Sequence, residues 1–316
     1  MQQLNIKENQ PKMAATYAAE ILDISIQAIH KKLKQNNIVL PKNGNKAYLT
    51  HDHAKYLFNN SFSKKNIAFQ IVKGGVGKTT STLNICCCAS LYGAKVLVID
   101  LDPQANLTDS FNIDAERYPV LIDIISGISL INDSIVPCFP GIDLLPSRIE
   151  NVVLDNKLAL EAKPLHTLFK NILSPIEGKY DYIFIDCPAT LGHSVTAAAL
   201  YTKFVLTPLN PDKYSAKGLK ILKNEIENIK NNFKEKIDYT VFLNKFSSNT
   251  ILSEKAISTV IAEEMLHGKA LNTAIRNTQE IPNSADDGHN LFSYLKKSTA
   301  KYDFDLLTRE LLNINF

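Results

Sequence analysis

The sequence predicts an α/β fold: a mostly parallel sheet covered by helices on both faces, preceded by a small, mainly helical basic head. Three observations predict it. Short apolar runs rich in β-branched residues alternate with helical segments from residue 66 to residue 245. A glycine-rich loop joins the first run to the first helix. Lysines gather in the first 66 residues.

The runs are "NIAFQIV" (66–72), "AKVLVIDLD" (94–102), "YDYIFIDCP" (180–188), "KFVLTPL" (203–209) and "DYTVFLNK" (238–245). They are continuously apolar, as expected for strands buried on both faces of a parallel sheet. With 45% apolar residues over 316 positions, the chain can bury a large core, and 21% charged residues excludes a disordered tail. No run of 18 apolar residues occurs, and "MQQLNIKENQ" lacks the layout of a signal peptide, so a cytoplasmic protein away from membranes is expected. Five cysteines, with Cys86, Cys87 and Cys88 consecutive, read as small buried hydrophobes rather than a disulfide framework.

Residues 73–80, "KGGVGKTT", lie between a strand and a helix and carry Gly77, Lys78 and Thr79, the G-K-[ST] end of the phosphate-loop pattern G-x-x-x-x-G-K-[ST], while Val72 stands where that pattern has its first glycine. Backbone N–H groups of Gly74, Gly75, Val76, Gly77 and Lys78 are placed to cradle phosphate oxygens, helped by the helix N-terminus. Lys78 would bridge the β- and γ-phosphates, Thr79 would put its hydroxyl on Mg²⁺, and Thr80 follows in the same motif. Asp186 ends an apolar strand, where a metal-side carboxylate of a P-loop NTPase belongs. Asp100 and Asp102 alternate along their strand and point to opposite faces. Only one can face the nucleotide from regular strand geometry, and a turn at Pro103 would swing Asp102 over the γ-phosphate to hold a water. Lys73 exceeds what a plain phosphate loop needs.

Four ordered stretches, "KGGVGKTT", "VLVIDLDPQANLT", "YDYIFIDCPATLG" and "TPLNPDKYSAKGL", resemble the ParA family of deviant Walker A ATPases, which partition plasmids and chromosomes. The resemblance spans roughly residues 66–316. It implies ATP and Mg²⁺ as cofactors, weak intrinsic hydrolysis, and a homodimer formed with ATP in which Lys73 reaches the partner's phosphates. It gives Asp102 the water-activating role, Asp100 a supporting role near Mg²⁺, and Asp186 the Walker B position. It places Pro208, Asn210, Asp212 and Asn244 beside the base. It also implies non-specific DNA binding through Arg276, a ParB-type centromere-binding partner, and association with the nucleoid. A second arginine seen in some relatives would fall near Asn249 and is missing. Lys245, Lys255, Lys296, Lys297 and Lys301 are the expected substitutes, since phosphate contacts need charge more than geometry. The last helical stretch carries Asp303, Asp305 and Glu310 and lacks the basic face of a membrane-targeting helix, unlike the related MinD proteins.

The head holds ten lysines against four acidic residues over 1–66, while the remaining 250 residues hold 25 basic against 28 acidic. Such a head points to an anionic partner, most simply nucleic acid. Residues 16–38 read as two helices around "DIS". Ala18, Ala19 and Leu22 would face inward, Ser25 would cap the second helix, and Ile26, Ile29 and Leu33 form its apolar face. The opposite face carries Gln27, Ala28, His30, Lys31, Lys32 and Lys34, a set suited to base edges and phosphates. "KNGNK" is a hairpin signal, which would make a wing bearing Lys42 and Lys46. This layout is similar to winged helix-turn-helix heads of the MerR kind and to operator-binding heads of larger plasmid ParA proteins. His30, His51 and His53 fit no zinc spacing. The expected organisation is a winged helix-turn-helix-like domain over 1–60, a linker over 61–66 and an ATPase body over 67–316. The alternative to a segregation ATPase is a transcription regulator that uses ATP as a switch without moving cargo.

Overall fold

The computed structural model describes residues 9–247, 261–265 and 267–316. The head begins with strand β1 (Met13–Ala14), followed by helices Ala15–Leu22 and Ile26–Lys34. The Ser25 hydroxyl accepts the Ala28 N–H at 3.1 Å and caps the second helix, and Ile29 and Leu33 turn its apolar face inward. Strands β2 (Lys42–Asn43) and β3 (Lys46–Leu49) form the hairpin expected at "KNGNK", with Gly44 at φ +57 in its turn. β1 pairs antiparallel to β3, and helix His51–Phe58 follows.

The body contains β4 (Lys65–Phe69), β5 (Val96–Asp100), β6 (Val136–Phe139), β7 (Ile142–Leu145), β8 (Tyr182–Asp186), β9 (Phe204–Leu209) and β10 (Asp238–Leu243). They form one sheet in the order β10-β9-β4-β8-β5-β7-β6, parallel except where β6 returns antiparallel to β7. The sequence reading found five of these strands and passed over the β6–β7 hairpin. Its strands have four residues each, and Pro137 sits inside β6, beside a register shift. Pro140 and Gly141 make the turn, Gly141 at φ +80.

Alternate residues of each strand serve two cores. Ile67 and Phe69 pack with Val98 and Phe184 on one face, while Ala68 packs with Leu97, Ile99 and Ile185 on the other. Helices Lys78–Ser90 and Thr299–Leu312 line the first face; Leu165–Leu173, His193–Thr202 and Lys213–Phe233 line the second. All five cysteines are free and buried. Among the described residues no helix is long and apolar enough to cross a membrane.

The head sits directly on the body and shares the first core with it. Tyr17 of the head and Tyr92 of the body both donate to the buried Asp305 carboxylate, at 2.8 and 2.5 Å. Burial raises the Asp305 carboxyl above the ordinary value, and the two hydroxyls oppose that rise. The rings of Phe58, Tyr92 and Phe316 cluster with centroids 4.9–5.4 Å apart, Tyr92 stacked on Phe316 and Phe58 tilted against both. In the stretch expected to be a linker, Phe62 meets the Tyr182 ring edge-on at 5.7 Å, and Lys65 and Asn66 already belong to β4.

Gly93 is the tightest point of this junction. Its φ is +92, and a Cβ there would lie 2.6 Å from the Lys55 Cα. Gly93→Ala therefore combines left-handed strain with a backbone clash between head and body, and should cost about 2 kcal/mol of unfolding free energy, read by urea denaturation. An unchanged midpoint would show that the head does not press on this turn.

Candidate functional site

The phosphate loop leaves β4 at the centre of the sheet and enters helix Lys78–Ser90. Gly75 and Gly77 both take positive φ, +71 and +92. Gly77 is also required by space: a Cβ there would fall 2.4 Å from Asn244 Nδ2. The Val76 side chain is buried in the second core, which anchors the loop from below. Gly74 and Gly75 are exposed at the tip. The Lys78 side chain is buried beneath the loop, with its ammonium 3.5 Å from the Lys73 carbonyl. Thr80 sits half-buried in the helix's first turn, its carbonyl accepting from Asn84.

Asn244 and Lys245, at the end of β10, hold this loop. Asn244 Nδ2 donates to the Val76 carbonyl at 2.7 Å, and Lys245 Nζ donates to the Gly75 carbonyl at 2.9 Å. The Asn244 amide nitrogen is thus engaged by the loop, and the exposed Lys245 holds its charge beside it. A polar pair at the end of "FLNK" is the only signal the sequence carries, and it does not say which loop the pair will meet.

Thr79 Oγ1 donates to Asp186 Oδ2 at 2.7 Å, and Thr82 Oγ1 lies 3.3 Å from Asp186 Oδ1. A hydroxyl and a carboxylate side by side at the loop form a hard-oxygen pair that fits Mg²⁺, whose remaining positions are ordinarily filled by phosphates and water. Among the described residues there is no cluster of three or more metal-binding side chains.

Asp100 lies opposite Asp186 in the β5–β8 ladder and is fully buried. Its Oδ2 accepts from the Thr108 N–H and hydroxyl at 2.9 and 2.7 Å, and its Oδ1 accepts from the Asp102 N–H at 3.1 Å. Both oxygens hold the 102–108 turn, so Asp100 positions that turn. Burial pushes the Asp100 carboxyl up to about 8, and the Asp186 charge adds to the rise. Burial pushes Asp186 up to about 7, against the pull of the Thr79 hydroxyl and the Lys78 ammonium. Asp102 stands beyond β5, with Oδ1 accepting the Gln104 N–H at 3.0 Å.

Lys73 turns outward to Asp212. Its ammonium is 2.7 Å from both carboxylate oxygens and 3.0 Å from Ser215 Oγ. Asp212 also caps helix Lys213–Phe233 through the Tyr214 and Ser215 N–H groups. Burial works to raise the Asp212 carboxyl, but the Lys73 ammonium and the Ser215 N–H outweigh it and hold the group below its ordinary value. Asp212 is thus a partner of Lys73 and a helix cap. Pro208 lies buried inside β9, tolerated because the β4 ladder ends at Leu206 and asks for no N–H there. The Asn210 Oδ1 is buried and lacks a partner among the described residues.

The expected DNA residues divide. Gln27, His30, Lys31, Lys34, Lys42 and Lys46 are exposed on the head. Lys32 is exposed as well, and its ammonium donates to the Leu57 carbonyl at 2.8 Å, closing helix His51–Phe58. Arg276 forks onto the buried Asp303 carboxylate, with its Nη2 at 2.5 Å, while 48% of its side chain remains exposed. Lys297 pairs with Glu20. Asn249 and Lys255 lie outside the described residues.

Residues 64–239 match a protein family described as an AAA domain. A ParA family protein of Chlamydia trachomatis is 35% identical over 254 residues, 78% of this chain and 97% of that protein. The sporulation initiation inhibitor protein Soj of Bacillus subtilis is 28% identical over 74% of this chain and 92% of its own. Among solved structures, an ATP complex of a Cyanothece McdA variant has a TM-score of 0.70 at 21% identity, covering 81% of this chain and 99% of that one. A plasmid partition protein of Borrelia burgdorferi bound to AMPPNP has a TM-score of 0.66 at 21% identity, covering 79% and 99%. These structures share the fold, and the family match and the ParA family relatives cover most of the chain: the chain belongs to the ParA/Soj family of P-loop partition ATPases.

Proposed function

We propose that this chain is a DNA-segregation ATPase. It binds Mg²⁺ and ATP, closes a sandwich dimer, coats non-specific DNA in that state, and lets go after hydrolysis stimulated by a ParB-type centromere-binding partner. The observation that carries this reading is the two lysines at opposite ends of one phosphate loop, Lys78 folded beneath it and Lys73 turned outward onto Asp212. One cation serves the chain's own phosphates. The second is held by a carboxylate that a partner's phosphate can replace, since phosphate is at least as strong an acceptor for an ammonium. Exchanging Asp212 for a phosphate in trans makes dimerisation depend on ATP.

The backbone of residues 74–78 receives the phosphates, and Lys78 neutralises the β–γ bridge. Thr79 and Asp186 would hold Mg²⁺, which spreads the phosphate charge when bound. Asp102 keeps one oxygen on its own turn and uses the other to orient water toward the γ-phosphorus. The unpartnered Asn210 Oδ1 suits the exocyclic amine of adenine, because a buried acceptor seeks a donor. Arg276 and Lys296 supply charge for non-specific DNA from the body. Gln27, Lys31 and Lys34 on helix Ile26–Lys34, with Lys42 and Lys46 on the hairpin, supply an operator-reading surface for autoregulation in a cytoplasmic, nucleoid-bound protein.

That exposed helix and hairpin also favour a second reading, a transcription regulator switched by ATP. Fluorescence anisotropy with random duplex and with the chain's own upstream DNA, under ATP, ADP and no nucleotide, separates the two. Salt-sensitive binding to random duplex only with ATP supports segregation. Selective upstream binding with no ATP-dependent binding to random duplex supports the regulator and removes the segregation reading.

Lys73→Ala is expected to leave the monomer folded and abolish the ATP-dependent dimer in sedimentation velocity. A normal dimer would sink the cross-subunit role. Asp102→Ala should bind ATP normally while turnover drops by about 100-fold, leaving the protein trapped on DNA; unchanged phosphate release would remove Asp102 from the chemistry. The Asp186 carboxyl, pushed up to about 7, must shed its proton to meet a cation. A group protonated at low pH competes with metal there, so Mg²⁺ affinity in the presence of ATP should rise between about pH 6 and 8, with proton release visible in calorimetry across buffers. An affinity flat over that range would exclude Asp186.

A further inference from the structure

Between the head and the body lies a cleft of about 920 Å³ that the ATPase site does not use. One wall is helix Ile26–Lys34 and the β2–β3 hairpin; the other is the 292–298 segment and the start of helix Thr299–Leu312. Its lining is apolar at Met13, Ile26, Ala47, Phe292 and Leu295. Lysines stand around that apolar surface, and the nearby acids are already engaged: Glu20 by Lys297 at 2.8 Å, Asp305 by the Tyr17 and Tyr92 hydroxyls, and Glu280 by the Ser298 hydroxyl and the Ala300 N–H. Lys42, Lys46, Lys296 and Lys301, which all line the cleft, have no carboxylate at ion-pair distance among the described residues.

Lys301 is the most telling of them. Its ammonium donates to the Tyr294 and Lys296 carbonyls and lies 5.9 Å over the Phe292 ring; among the described residues no carboxylate reaches ion-pair distance, and Glu280 acts on it only from farther away. Burial pulls it down to about 8. A cation desolvated beside an apolar wall, with cationic neighbours and no free acid, is completed by an anion that brings its own apolar surface. The volume is that of a small-molecule pocket, with an apolar floor ringed by charged side chains. A duplex backbone is a poor fit for such an apolar lining.

We propose that this cleft binds a small amphipathic monoanion, a medium-chain aliphatic or aromatic carboxylate, with the carboxylate on Lys301 and the hairpin lysines and the apolar part against Ile26, Ala47 and Phe292. The occupant touches the head and the C-terminal helix at once, so it ties the DNA-facing head to the body. The site is independent of the nucleotide loop.

Isothermal titration calorimetry of the full chain with decanoate, with 1-decanol as the uncharged control, tests this. One saturable site for decanoate is expected, with decanol weaker by about tenfold or more. Lys301→Met keeps the aliphatic stem and removes the charge, and should weaken decanoate by about tenfold while leaving decanol unchanged. Ala47→Trp should fill the cleft and abolish both. The exposed Lys46→Glu, which the fold tolerates readily, should weaken decanoate in the same direction. Absence of saturable binding, equal affinity for decanol, or binding indifferent to all three variants would overturn the proposal.

Discussion

The arrangement of the whole body follows from one constraint: a phosphate loop must present bare backbone N–H groups in a fixed curl. At Gly77 no side chain is admissible, because the conformation is left-handed and the Asn244 amide occupies the space where a Cβ would go. That amide bonds the Val76 carbonyl, and Lys245 bonds that of Gly75. The loop is therefore shaped from outside by the end of β10, two strands away from its own strand. Placing β4 between β8 and β9 then brings Asp186 to one side of the loop and residues 210–212 to the other. Ligands of open α/β sheets collect at such carboxyl ends for this reason.

The same geometry stores electrostatic tension. Asp100 and Asp186 are buried opposite each other on adjacent strands, and both carboxyls are pushed up by burial. Hydroxyls and N–H groups from residues 79, 82, 102 and 108 offset part of that cost. Buried acids with perturbed protonation are a mark of functional sites. Here they surround the position where a cation and phosphates balance the charge.

The head is anchored rather than tethered. Asp305 collects hydroxyls from both sides of the junction, and the Phe58–Tyr92–Phe316 ring cluster seals it. Helix Lys78–Ser90 starts at the phosphate loop and ends where His51 meets the Ser90 carbonyl at 3.0 Å. A single helix thus runs from the phosphate loop to the base of the head.

The sequence by itself determined the α/β class, five of the seven body strands, the phosphate loop and the Thr79–Asp186 pairing of motifs. Each depends on local periodicity or a short motif whose chemistry dictates its spacing. It also determined the Ser25 cap and the "KNGNK" hairpin, which are local too. The tertiary structure alone decided which polar residues face one another across the fold. Asn244 and Lys245 meet the loop from 168 and 170 residues away, and Lys73 meets Asp212 from 139. Lys32 meets the Leu57 carbonyl and Arg276 meets Asp303, neighbours that no spacing rule could supply. The β6–β7 hairpin escaped because a proline broke its strand signal. Charge and polarity are properties of a residue, whereas the partner that satisfies them is a property of the packing, and only the folded chain sets it.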